Sequence, residues 1–173
     1  RGGPLPYGHR SHQLGLDVDI WFTKPAKAKR NDDKYFKSLV NLHRETIDRS
    51  VWSDRIPKTL RAAAEHPEVA RIFVHWVIKN ELCKTEGDDR EWLRKIRPWW
   101  GHSSHFHVRL KCPKDDANCV SQAAIPPGDG CGKEKWFSAA EVKRRKKRAG
   151  KKPGKKKPRK PKVLPRRCQS LLP

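Results

Sequence analysis

Two stretches of the chain alternate apolar and polar residues with a period of two. In "LDVDIWF", Leu16, Val18 and Ile20 fall on one face and Asp17, Asp19 and Trp21 on the other, as a half-buried strand requires. "HFHVRLKC" (105–112) repeats the pattern, with Phe106, Val108 and Leu110 opposed to His105, His107 and Arg109. Helical spacing governs elsewhere. "IPKTLRAAAEHP" (56–67) predicts a helix with Pro57 in its first turn and Pro67 beyond its end. "ARIFVHWVIKNELC" begins strand-like at Arg71–Val74 and then turns helical. "DDREWLRKIR" (88–97) spaces Trp92, Leu93 and Ile96 as a helix does, acids at its start and bases at its end. "KYFKSLVNLH" (34–43) fits a short helix or a strand equally well. Residues 1–15 and 23–33 read as loop, and from Pro113 the chain is turn-rich, "PPGDGCG" being the clearest signal. Such a mixture predicts an α+β fold, and 173 residues allow one real core.

Charge divides the chain. The net charge is +22, yet 16 Lys and Arg and no acid lie between Lys143 and Arg167, so residues 1–142 carry only +6. The body is ordinary and mildly basic; the extreme charge belongs to the tail. Poor in apolar residues and punctuated by Pro and Gly, residues 138–167 predict a disordered basic tail. Its charge suits anionic cell-wall polymers or membrane surfaces. With no interleaved aromatics and no reading module, nothing marks it for specific nucleic-acid recognition. No apolar stretch approaches a transmembrane segment. The chain starts with Arg rather than Met, and we read that start as cut. Five cysteines without a CxxC fit an exported, disulfide-bearing protein better than a reduced cytosolic one.

The candidate chemistry lies in the two alternating stretches. A strand over 105–110 puts His105, His107 and Arg109 on one face, so two imidazoles reach one small ion or reacting centre while the apolar face buries. His102 approaches from the preceding loop. Upstream, His12 and Asp19 are seven residues apart, with Gly15 between them to let the backbone turn. One histidine and one aspartate from here, plus one histidine of the HxH, make the three ligands of a catalytic zinc site. The spare histidine then stands where a general base is needed. There is no HExxH, hence no glutamate base of the usual kind. Arg109 is either a holder of a substrate carboxylate or a plain surface arginine. Trp99 and Trp100 read as core packing, with a place along the cleft as the other reading.

Taken together, "SHQLGLDVDI", "RIFV", "DREWLRKIRPWW", "HFHVRLKCP" and "PPGDGCG" closely resemble the penicillin-insensitive murein endopeptidases. These belong with the lysostaphin-type and D-Ala-D-Ala zinc peptidases, whose scaffold the hedgehog signalling domain shares. The resemblance covers residues 1–137, a peptidase domain lacking its N-terminal part, and reappears in a cysteine segment at 168–173. It implies an antiparallel sheet with flanking short helices and a zinc site in a surface cleft. It also implies a periplasmic enzyme that cuts D-alanyl–meso-diaminopimelyl cross-links in peptidoglycan. His12, Asp19 and His107 match its zinc ligands, His105 and His102 its catalytic histidines, and His9 a further site histidine. A segment able to bind additional metal offers only His43 and Thr46 here, so one Zn2+ is expected. His75 and Trp76 stand where relatives usually show Asn and Pro. The resemblance further implies disulfides Cys83–Cys131 and Cys112–Cys119, with Cys168 unpaired in this chain. Against the enzyme stand a non-catalytic zinc scaffold or cell-wall-binding protein and a basic nucleic-acid-binding protein.

Overall fold

The computed structural model describes residues 12, 15–24 and 36–149. Its main sheet has four strands, β1 (Asp17–Trp21), β4 (Val69–Val74), β5 (Ile96–Pro98) and β6 (His105–Leu110), in the order β1-β6-β4-β5. A small antiparallel pair, β2 (Val40–Asn41) and β3 (Thr46–Ile47), settles the ambiguous 34–43 stretch on the strand side. Among the described residues three α-helices complete the α+β fold: α1 (Arg55–Glu65), α2 (Trp76–Thr85) and α3 (Ala139–Arg148).

The sheet is mixed rather than antiparallel. β6 pairs antiparallel with β1 and β4, but β5 runs parallel to β4. The reason is the crossover from β4 through α2, which returns the chain to the end where β4 began. The helix expected over 88–97 divides accordingly. Glu91–Lys95 makes one short 3-10 stretch, burying Trp92 and Leu93, and Ile96–Pro98 then joins the sheet. Buried Ile96 serves that strand, not a longer helix.

β6 lies inside the sheet and is hydrogen-bonded on both sides. Phe106 and Val108 face the core with Ile72, Val74 and Ile96, while Ile56, Leu60 and Ala64 of α1 cover it at helical spacing. On the opposite face the register sets Asp19 against His107 and Asp17 against Arg109. The edge strand β1 departs from the expected burial. Val18 and Ile20 share the face of Val108 and Phe106, yet are 47% and 41% exposed, so the aspartate side is the more enclosed one. Helix packing over β4 and β6 does not extend to this edge.

Disulfides Cys83–Cys131 and Cys112–Cys119 are closed. The first ties α2 to the "PPGDGCG" loop. The tail expected to be disordered from 138 begins instead with α3. The Ser138 hydroxyl caps it by accepting from the Glu141 N–H, and Glu141 pairs with Arg144, offsetting the repulsion among its bases.

Candidate metal centre

Three donors converge on the open face of β1 and β6. His12 Nε2 lies 3.3 Å from Asp19 Oδ2, and His107 Nδ1 lies 3.2 Å from Asp19 Oδ1. Gly15 makes the approach of His12 possible, because its φ of 71° turns the chain back before β1. His12, Asp19 and His107 each offer a ligand atom within 4.8 Å of the other two. Two imidazole nitrogens and a carboxylate oxygen, with no ammonium or guanidinium among them, are the donor set zinc prefers.

His105 and His102 border this cluster. His105 Nε2 is 3.9 Å from Asp19 Oδ1, and the His102 and His105 rings are 5.0 Å apart. His102 adopts a left-handed backbone (φ 56°) directly after Gly101 (φ 71°), a conformation costly for a residue with a Cβ. That turn aims its ring at the cluster. Asp19, His102 and His105 also form a metal-capable set, but it shares Asp19 with the first, so the two make one connected site. A third set, Cys83, Cys131 and Glu134, has its sulfurs locked in a disulfide. His43 is exposed and belongs to none of these sets among the described residues.

A hydrogen bond fixes the His102 tautomer, and two carboxylates orient the His107 ring. His102 Nδ1 lies 2.6 Å from the Trp100 carbonyl, which can only accept, so Nδ1 carries the proton and Nε2 is the basic nitrogen. Burial pushes the His102 pKa down to about 4, against the favourable Trp100 bond, and the ring is neutral at ordinary pH. His107 Nε2 lies 2.6 Å from Asp17 Oδ1, which leaves Nδ1 facing Asp19. Burial pulls the His107 pKa down, but Asp19 and Asp17 outweigh it and the net shift is upward. Burial pushes Asp19 up, yet the His107 hydrogen bond and the charges of His105, His12 and His107 hold it below its usual value.

The whole chain, residues 1–173, matches the penicillin-insensitive murein endopeptidase family. It belongs to that family. The chain is 44% identical over 180 residues to the penicillin-insensitive murein endopeptidase of Haemophilus influenzae, covering 99% of this chain and 58% of that protein. It is 42% identical over 179 residues to those of Citrobacter koseri and Escherichia coli O157:H7, covering 99% of this chain and 61% of each relative. The chain thus spans about three-fifths of the relatives it matches.

In this murein endopeptidase family member the sequence reading overlooked Asp17. Its side chain is 1% exposed and joins His107 to Arg109. Part of the signal was available in the alternation itself, which puts Asp17 on the same face as Asp19; its place opposite Arg109 comes from the pairing of β1 with β6. Arg109, expected as a carboxylate holder or a surface residue, is not on the surface: it is 5% exposed and its guanidinium pairs with Asp17. Trp99 and Trp100 are not core packing, being 51% and 49% exposed. His75 caps α2, its Nδ1 accepting from the Val77 N–H at 3.2 Å, a task asparagine also performs. His9 and Cys168 lie outside the described residues.

Proposed function

We propose that the chain is a zinc endopeptidase that hydrolyses D-alanyl–meso-diaminopimelyl cross-links of peptidoglycan in the periplasm. The observation that carries this reading is the convergence of His12, Asp19 and His107 beside two further histidines. Family membership and the murein endopeptidase names of its relatives support the substrate. Two disulfides support an oxidising compartment. Among the described residues no helix is long and apolar enough to cross a membrane.

His12, Asp19 and His107 would hold one Zn2+, with His107 binding through Nδ1. The chemistry such an ion supplies when bound is polarisation of the scissile carbonyl and acidification of water. The chain's own groups handle the protons. His105, whose Nε2 lies on the Asp19 side, takes a proton from the attacking water and returns it to the leaving amine. Neutral His102 presents Nε2 as an acceptor that orients the water, its other nitrogen being held by Trp100. Asp17 fixes the His107 ring, and Arg109 fixes Asp17.

Mass spectrometry of cross-linked muropeptide dimers digested with and without a chelator tests the reading. Cleavage should require zinc. The His105→Ala variant should keep its zinc and lose about 100-fold or more in kcat. Wild-type chain that binds zinc and never cuts such dimers would instead be a non-catalytic scaffold.

A further inference from the structure

We propose that Arg97 is a specificity residue that binds a free carboxylate of the cross-link peptide, in a cavity beside the histidine cluster. This rests on the endopeptidase reading and extends it from the reacting centre to the substrate's flank.

Register places Arg97 in line with the site. Asp19 opposes His107, His107 opposes Phe73, and Phe73 neighbours Arg97, all on one face of the sheet. Strands lie about 4.8 Å apart, so the Arg97 backbone is about 10 Å from that of His107 across the sheet. Aromatic rings pave the way between them. Phe73 lies 5.5 Å from His107 and 5.8 Å from Trp99, and Trp99 lies 6.0 Å from Phe137. Phe137 and Arg97 then line a cavity of about 620 Å3, together with Trp136 and the loop at Gly130. A peptide whose scissile bond sits at the histidines can therefore extend into this cavity over a continuous apolar surface.

Arg97 lines the cavity with its donors to spare. Among the described residues no hydrogen bond or ion pair engages its guanidinium, whereas Arg71 donates to the Ala123 carbonyl, Arg94 to Ile125 and Pro126, and Arg109 to Asp17. The guanidinium lies against Gly130, where an added Cβ would come within 3.0 Å of one terminal nitrogen. Both acids lining the cavity are already occupied. Asp129 pairs with Arg90 at 2.8 Å and accepts from the Cys131 N–H, and Glu141 pairs with Arg144 at 2.6 Å. Lys133 and Lys135 add positive charge to the lining. A rigid fork of donors facing a net-positive cavity is matched by a carboxylate.

The test uses the full chain loaded with zinc and three cross-linked dimers: one unmodified, one amidated on the acyl side of the scissile bond, one amidated on the amine side. Wild type should show a KM about 10- to 100-fold higher for one amidated dimer, with kcat nearly unchanged. The arm that responds identifies the carboxylate. Arg97→Gln should raise KM for the unmodified dimer by the same factor and abolish the discrimination, and Arg97→Lys should restore part of it. Thermal unfolding at the wild-type midpoint shows that both variants fold. Equal KM values for all three dimers, or discrimination that survives Arg97→Gln, would overturn the proposal. Should wild type cut no dimer at all, the endopeptidase reading fails. Calorimetric binding of the corresponding monomers then still decides whether Arg97 selects a carboxylate.

Discussion

Asp17 shows how much of a site can reside in a residue that touches no ligand. Enclosed by β1 and β6, its carboxylate accepts from His107 Nε2 and from Arg109 at once. It thereby decides which nitrogen of His107 is turned toward Asp19. Outer partners of this kind are worth about 10- to 100-fold in metal affinity. Asp17→Asn should lower zinc affinity by that factor in competition with a chromophoric chelator, while circular dichroism of the fold stays unchanged. Unaltered affinity would mean that His107 is oriented by its strand alone. The aspartates and histidines were legible because strand alternation sorts faces without knowledge of the fold. The role of Asp17 was not, since a two-residue alternation names the face but not the neighbour across the strand.

The α2 helix carries the clearest stress within an element. Lys79 is fully buried, and its Nζ donates to the carbonyls of Leu93 and Asp129 at 2.7 Å each. It thus pins both the 3-10 segment and the "PPGDGCG" loop to the helix. Burial lowers its pKa from 10.5 to about 8, against the favourable charges of Asp129 and Glu134. Between those two values the unfolded chain holds a proton there that the folded chain has released. The unfolding free energy therefore rises with pH across that window, by at most about 3 kcal/mol, and the cost of burial is felt in full below it. Denaturant titrations of wild type and Lys79→Met should diverge in favour of wild type as pH climbs from about 8 to 10.5. A constant difference would place the charge elsewhere.

Element assignment from the pattern succeeded for β1, β6 and α1 and failed where tertiary pairing decides. Trp92, Leu93 and Ile96 are spaced as on a helix, but β4 offers a free edge and Ile96–Pro98 takes it. Val18 and Ile20 alternate as core residues and end half-exposed, because no periodicity reveals that a strand is at the edge. α3 was hidden by its own charge: six Lys and Arg follow Glu141 and Val142, yet the Ser138 cap and the stacking of Arg145 on Trp136, 3.5 Å from its centroid, hold its first turns.

Taken whole, the molecule joins a mildly basic body to a strongly basic C-terminal segment. Since α3 packs against Trp136 through Arg145, a deletion that separates the two functions should start after it. Removing residues 150–167 should leave hydrolysis of soluble dimers within about twofold of wild type. Retention on insoluble, anionic peptidoglycan should fall, most visibly at low salt, where unscreened charge acts furthest. Loss of hydrolysis in solution would show that the segment belongs to the peptidase itself.

At the centre of the proposed chemistry is one cation held by side chains from two distant parts of the chain. Anomalous diffraction at the zinc edge, from crystals of the zinc-loaded chain, locates that ion directly. A single peak about 2.0–2.2 Å from a nitrogen of His12, a nitrogen of His107 and an oxygen of Asp19 is the predicted result. A folded chain with its zinc elsewhere, or with none, would contradict it.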